Sequence, residues 1–254
     1  MTAEFDSLAD NYAAGCDDKL KTLIGCSQER FLAVKLDLLL QSLDRAGISP
    51  NDPGIRFLDF GCGTGDFVDL VARRPVRWSL EACDVSGGML REAERRHPEL
   101  AGTVTFWDCE SSSVPIEAYD LITVICVMHH IQPASWRAKL RELWNGIRPG
   151  GSLFVFEHNP RNPVTRFMVW REPIDKNAVL IDHTTMTSHL SALDSPDVEI
   201  TNFLFFPPRM PGLRAIEDRL ASLPWGGQYM ARATKPPRPQ HGTAGAAKGT
   251  SPHG

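Results

Sequence analysis

Apolar positions follow two rhythms along this chain. Over the first fifty residues they recur at helical spacing, from Phe5 to Tyr12 and again from Glu29 to Arg45, where Phe31, Val34, Leu38, Leu39 and Leu43 fall in line. From Arg56 they gather into short runs: Phe57, Leu58 and Phe60, then stretches ending near Asp84, Asp108, His130 and Asn159. Short runs that are apolar on both faces predict buried parallel strands, and the helical spacing between them predicts crossover helices. Helices are expected over 133–147, closed by the RPGG of 148–151, and over 185–193 and 211–223; further strands are expected over 198–206 and 228–233. The pattern is that of an α/β domain.

Glycine enters where the first strand stops. Gly61, Gly63 and Gly65 allow a sharp turn and a close approach of a ligand to main-chain N–H groups, although a plain tight turn would use them too. A dinucleotide fold needs Gly or Ala at the third fingerprint position for close helix packing, and here that position is Asp66, read as the cap of the next helix. Acids at Asp59 and Asp66 would repel a pyrophosphate and attract a cationic ligand. Asp84, 19 residues beyond Gly65, stands where a second strand of a βαβ unit ends. Its carboxylate can accept from both hydroxyls of a ribose, or cap the helix that follows.

The stretch DFGCGTG of 59–65 resembles the first motif of class I S-adenosylmethionine (SAM) dependent methyltransferases. The HHI of 129–131 and the RPGG before a strand ending in Glu157 are similar to that family as well, so the resemblance runs over 56–157. It implies a Rossmann-like three-layer sandwich with a seven-stranded, mostly parallel sheet whose last strand is antiparallel. It also implies SAM as cofactor, with S-adenosyl-L-homocysteine as product. Asp59, Gly61, Cys62, Gly63 and Gly65 would form the cofactor turn, and Asp84, Val85 and Met89 would hold ribose and flank adenine. Asp108 and the Cys109 N–H would meet the adenine edge, Ile125 and His130 would pass the methionine part, and Tyr12 would lie near the cofactor. His129, His130 and His158 are the candidate catalytic residues, with an imidazole taking a proton from the acceptor, though packing or capping histidines are the alternative. Asn159 and Arg166 could add acceptor contacts, and Tyr12, His129, His158, Trp170, Phe205 and Trp225 are candidate pocket walls.

The expected division is an N-terminal helical lid over 1–50, a methyltransferase domain over 51–233 with acceptor-side helices in 158–225, and a disordered tail over 234–254 rich in Pro, Gly and Ala. The expected reaction moves a methyl group to an O, N or C nucleophile of a small molecule. A SAM-binding protein with non-methylating chemistry, or a protein or RNA methyltransferase, is the alternative. A net charge of −4 supplies no broad positive field, so nucleic acid is not an expected partner. The arginines at 73, 74 and 77 and at 91, 95 and 96 read as solvated helix faces. Six cysteines without metal-ligand spacing, no apolar run of membrane length and no signal-like N-terminus predict a cytoplasmic protein without a metal.

Overall fold

The computed structural model describes residues 27–194, 197–207 and 210–238. The expected helix from Phe5 to Tyr12, Tyr12 itself and the chain beyond 238 lie outside them. Strands β1 (Arg56–Phe60), β2 (Ser79–Asp84), β3 (Val104–Asp108), β4 (Tyr119–Ile125), β5 (Ile147–His158), β6 (Asp197–Phe203) and β7 (Gln228–Thr234) form one seven-stranded sheet in the order β3-β2-β1-β4-β5-β7-β6. The first five pair in parallel, and β7 runs antiparallel between β5 and β6.

Alternation along the central strands divides their side chains between two cores, as a pleat of period two requires. Leu58, Ile122, Leu153 and Val155 join Leu140, Leu143 and Trp144 of helix α4 (Trp136–Gly146) and Met186 and Leu190 of α6 (His183–Ser191) on one face. Phe57, Leu121, Phe154 and Phe156 join Leu36, Leu39 and Leu43 of α1 (Gln28–Arg45) and Phe67, Val68 and Val71 of α2 (Asp66–Ala72) on the other. The three layers follow from that division. The remaining helices are α3 (Gly87–Arg96), α5 (Pro163–Arg171) and α7 (Arg214–Leu220).

Four expectations change at element ends. The helix expected over 133–147 begins as a 3₁₀ turn, Pro133–Ser135, and ends at Gly146, so the RPGG lies inside β5. Gly151 is there because a Cβ would stand 2.5 Å from the Asp120 carbonyl oxygen of β4, an approach that only glycine permits. Asp66 does not cap α2: Gly65, with φ of 76°, is the N-cap, and Asp66 is the first helical residue. The helix expected over 211–223 is divided into a 3₁₀ turn, Pro211–Leu213, and α7. Of the expected tail, Lys235 still exchanges main-chain bonds with Gly150 and Gly151, continuing the sheet.

Candidate active site

The carboxyl ends of β1, β2, β4 and β5 open on one cavity of about 880 Å³, within the range of sites that enclose a small molecule. Asp59, Gly61, Cys62 and Gly63 line its first wall, joined by Asp84, Val85, Met89 and Cys109. Ile125, His129, His130 and His158 line the opposite part, with Phe205 beyond them. Of the expected cofactor residues, Gly65 and Asp108 are not in the lining. Gly65 starts α2, and the Asp108 carboxylate accepts from the Glu110 N–H at 2.7 Å, closing its own turn. Trp170 and Trp225 are exposed, 78% and 61%, and do not wall the cavity; Arg166 is not in the lining either. Asn159 is buried in the fold, its amide donating to the Pro224 and Gly226 carbonyls.

The glycine turn is held from below by Asp84. Its Oδ2 accepts from the Gly63 N–H and its Oδ1 from the Ser86 N–H, both at 2.9 Å, which fixes the carboxylate while each oxygen keeps a second acceptor direction. Gly61 sits at φ 72°, and a Cβ there would lie 2.4 Å from Val127 Cγ2; Gly63 sits at φ 54°, and a Cβ there would meet nothing within 4 Å. Gly61→Ala should therefore lower stability by about 3 kcal/mol, read as a fall in Tm. Gly63→Ala should cost only about 1 kcal/mol and yet weaken ligand binding, because its methyl group enters the cavity.

Asp59 is 2% exposed, and burial pushes its carboxyl up to about 7 even though Thr123 Oγ1 donates to it at 2.8 Å. A cation bound in the cavity would restore its charge. Asp66, expected to share that attraction, is instead paired with Arg96 at 3.1 Å and His97 at 3.1 Å. With the Asp59 carboxyl raised on folding, its protonation stabilises the fold fully below pH 3.8 and ceases to do so as pH rises through about 7. At pH 8, Asp59→Asn should thus raise the stability of the unliganded protein by about 4 kcal/mol, while weakening a cationic ligand. Chemical denaturation at pH 5 and pH 8 checks the sign.

The histidine end is built by the turn after β4. Trp136 Nε1 donates to the Met128 and Ile131 carbonyls at 2.9 Å, anchoring the segment that carries His129 and His130. Glu157, fully buried at the end of β5, accepts from the Met128 N–H at 2.8 Å and meets His129 Nδ1 at 2.5 Å. Asp175 Oδ1 lies 3.5 Å from His129 Nε2 and 3.5 Å from His130 Nε2. Burial disfavours charge on His129, but Glu157 and Asp175 outweigh it and hold that imidazole well above its ordinary pKa; burial and the neighbouring His129 push His130 down to about 4.

Sequence reasoning missed Asp175 and Lys35 here and gave the Cys126 side chain no role. Asp175 comes from a turn after α5, Lys35 lies 4% exposed in α1 with Nζ 3.8 Å from Cys126 Sγ, and Cys126 takes a left-handed φ of 56°. Burial raises the Cys126 thiol, but Lys35 and His158 prevail and bring it down to about 7.

Residues 57–151 match the family described as a methyltransferase domain. They are a class I SAM-dependent methyltransferase domain. Over 107 residues the chain is 35% identical to a demethylmenaquinone methyltransferase of Beutenbergia cavernae, covering 41% of each sequence. Over 99 residues it is 28% identical to a malonyl-[acyl-carrier protein] O-methyltransferase of Priestia megaterium, covering 39% of this chain and 35% of that one. The matches thus span less than half the length of these relatives. In fold, the domain is like a SAM-dependent methyltransferase of Thermotoga maritima described as a possible histamine N-methyltransferase, with a TM-score of 0.60 at 16% identity over 92% of this chain and all of the other. The methyltransferase cofactor fits the residues present. The open backbone at Gly63, the oriented Asp84 carboxylate and the buried Asp59 suit a ribose and a positively charged methionine part.

Proposed function

We propose that this chain transfers a methyl group from SAM to an O, N or C nucleophile of a small molecule, in the cytoplasm. The observation that carries the reading is one cavity with two unlike halves: Asp59, Asp84 and the glycine turn on one side, and the histidines among apolar walls on the other. Bound SAM supplies a methyl carbon on a sulfonium that departs as a neutral thioether. The chain's part is to hold the acceptor atom about 3 Å from that carbon and to keep water out. Asp84 would fix the ribose, and Asp59 would favour the cation. Ile131, Val169, Leu204 and Phe205 would shield the acceptor, the cluster of His129, His158 and Asp175 would orient its heteroatom, and the neutral His130 imidazole would receive its proton. Gln28, Phe31, Leu32 and Lys35 at the start of α1 line the same cavity, which supports the N-terminal segment as its cover.

Two relatives named for a quinone and for a malonyl carrier support a small-molecule acceptor. Among the described residues no helix is long and apolar enough to cross a membrane. The reading is tested by incubating the protein with methyl-labelled SAM and a panel of demethylated quinones, malonyl thioesters and biogenic amines. Label should move to at least one acceptor with formation of S-adenosylhomocysteine. Cofactor binding without transfer to any acceptor would favour non-methylating chemistry.

A further inference from the structure

At the acceptor end of the cavity, three elements converge on one small space. His129 comes from the turn after β4, His158 is the last residue of β5, and Asp175 closes the 3₁₀ turn Pro173–Asp175. Each offers a ligand atom, and those atoms all lie within 4.8 Å of one another. We propose that His129, His158 and Asp175 form a site for a divalent transition metal such as zinc, which orients an acceptor bearing an ionisable hydroxyl.

Four observations support the site. The buried Glu157 carboxylate meets His129 Nδ1 at 2.5 Å, which commits that nitrogen and turns Nε2 toward Asp175. A carboxylate behind an imidazole is the usual support of a metal-binding histidine. Next, the 3.5 Å between His129 Nε2 and Asp175 Oδ1 is wide for a hydrogen bond of about 2.9 Å, and close to the roughly 3.3 Å that separates two ligand atoms around a tetrahedral ion.

His158 is supported from behind as well. Its Nδ1 lies 3.2 Å from the Gln228 amide nitrogen, while Gln228 Oε1 is buried without a partner. A half-turn of that amide gives Oε1 a hydrogen bond from His158 Nδ1–H and leaves Nε2 as a lone-pair donor. Finally, two nitrogens and one oxygen suit a borderline ion, and three protein ligands leave a coordination position open to the cavity. The acceptor's role rests on the methyl-transfer reading; metal uptake does not.

The test uses the full chain, free of any histidine tag and stripped with a chelator. Zinc chloride is titrated in by calorimetry, and bound metal is measured after dialysis. The expected result is one zinc per chain with a Kd below about 1 µM and a zinc-dependent rise in Tm. Asp175→Asn and His158→Gln should each weaken binding at least ~10-fold, and Glu157→Gln by ~10- to 100-fold. His97→Gln should leave it unchanged, although Asp69, His97 and Glu99 are a second, partly exposed group with ligand spacing. Melting curves without metal show whether each variant is folded, and either folded cavity variant suffices. No uptake at about 100 µM zinc overturns the proposal. Uptake that survives Asp175→Asn or His158→Gln undiminished overturns it too, whether or not His97→Gln removes it. S-adenosylhomocysteine binding is measured in parallel: zinc uptake without it would keep the metal site and remove the methyl-transfer reading, and the converse would do the reverse.

Discussion

Asp84→Ala is expected to weaken S-adenosylhomocysteine by about 10²- to 10³-fold, the loss of two charge-assisted hydrogen bonds at roughly 1.5–2 kcal/mol each. The same carboxylate also holds the Gly63 and Ser86 N–H groups, so part of the effect comes through the shape of the turn. Asp84→Asn separates the two contributions. It keeps one acceptor oxygen but presents an amide nitrogen where the other oxygen stood, and should fall between parent and alanine variant. Calorimetric affinities with a melting curve for each variant check this. Equal affinity in all three would remove Asp84 from the cofactor site.

The second large effect is at His129. His129→Ala should leave S-adenosylhomocysteine affinity within about twofold and lower turnover by about 10²- to 10⁴-fold, because it removes the centre of the cluster that faces the acceptor. It should also cost about 3–5 kcal/mol of stability, since Glu157 is left as a buried carboxylate without its partner. The double variant His129→Ala with Glu157→Gln resolves that ambiguity. A neutral amide can still accept from the Met128 N–H, so stability should largely return while turnover stays low. Turnover that recovers together with stability would show that the histidine acts only through the fold.

Much of the frame was legible because its signals are local. The run Phe57 to Phe60 is short and apolar but for Asp59, and the glycine turn that follows it directly marks it as a buried strand. The parallel order of β1, β2 and β3, and of β4 and β5, follows from the helices between them, whereas β3 and β4 are joined by residues 109–118 without a helix. Legibility failed where contacts across the fold decide. The end of α4 at Gly146 depends on β4, whose Asp120 carbonyl presses on Gly151 and draws the RPGG into the sheet. Asp66 reads as a cap beside glycine, yet Arg96 and His97, 30 and 31 residues away, hold it instead.

The site divides the same way. Asp59, Asp84, His129 and His158 announce themselves as polar groups within or after apolar runs, and all four line the cavity. Glu157 carries the same signal, an acid after six buried strand residues, yet its sequence context marks only the end of a strand. Asp175 has no local signal: a turn after α5 brings it to the histidines. Lys35 sits on a helix whose pattern is that of a core-facing amphipathic element, and only the tertiary packing aims its ammonium at Cys126.

The central claim is that Asp59, Asp84 and the glycine turn bind the SAM nucleoside. Titration of the intact chain with S-adenosylhomocysteine by calorimetry tests it most directly. One site per chain with a Kd in the range of about 1–50 µM, competed by SAM and lost in Asp84→Ala, is the predicted result. The absence of heat at saturating ligand, or binding that Asp84→Ala leaves intact, would contradict it.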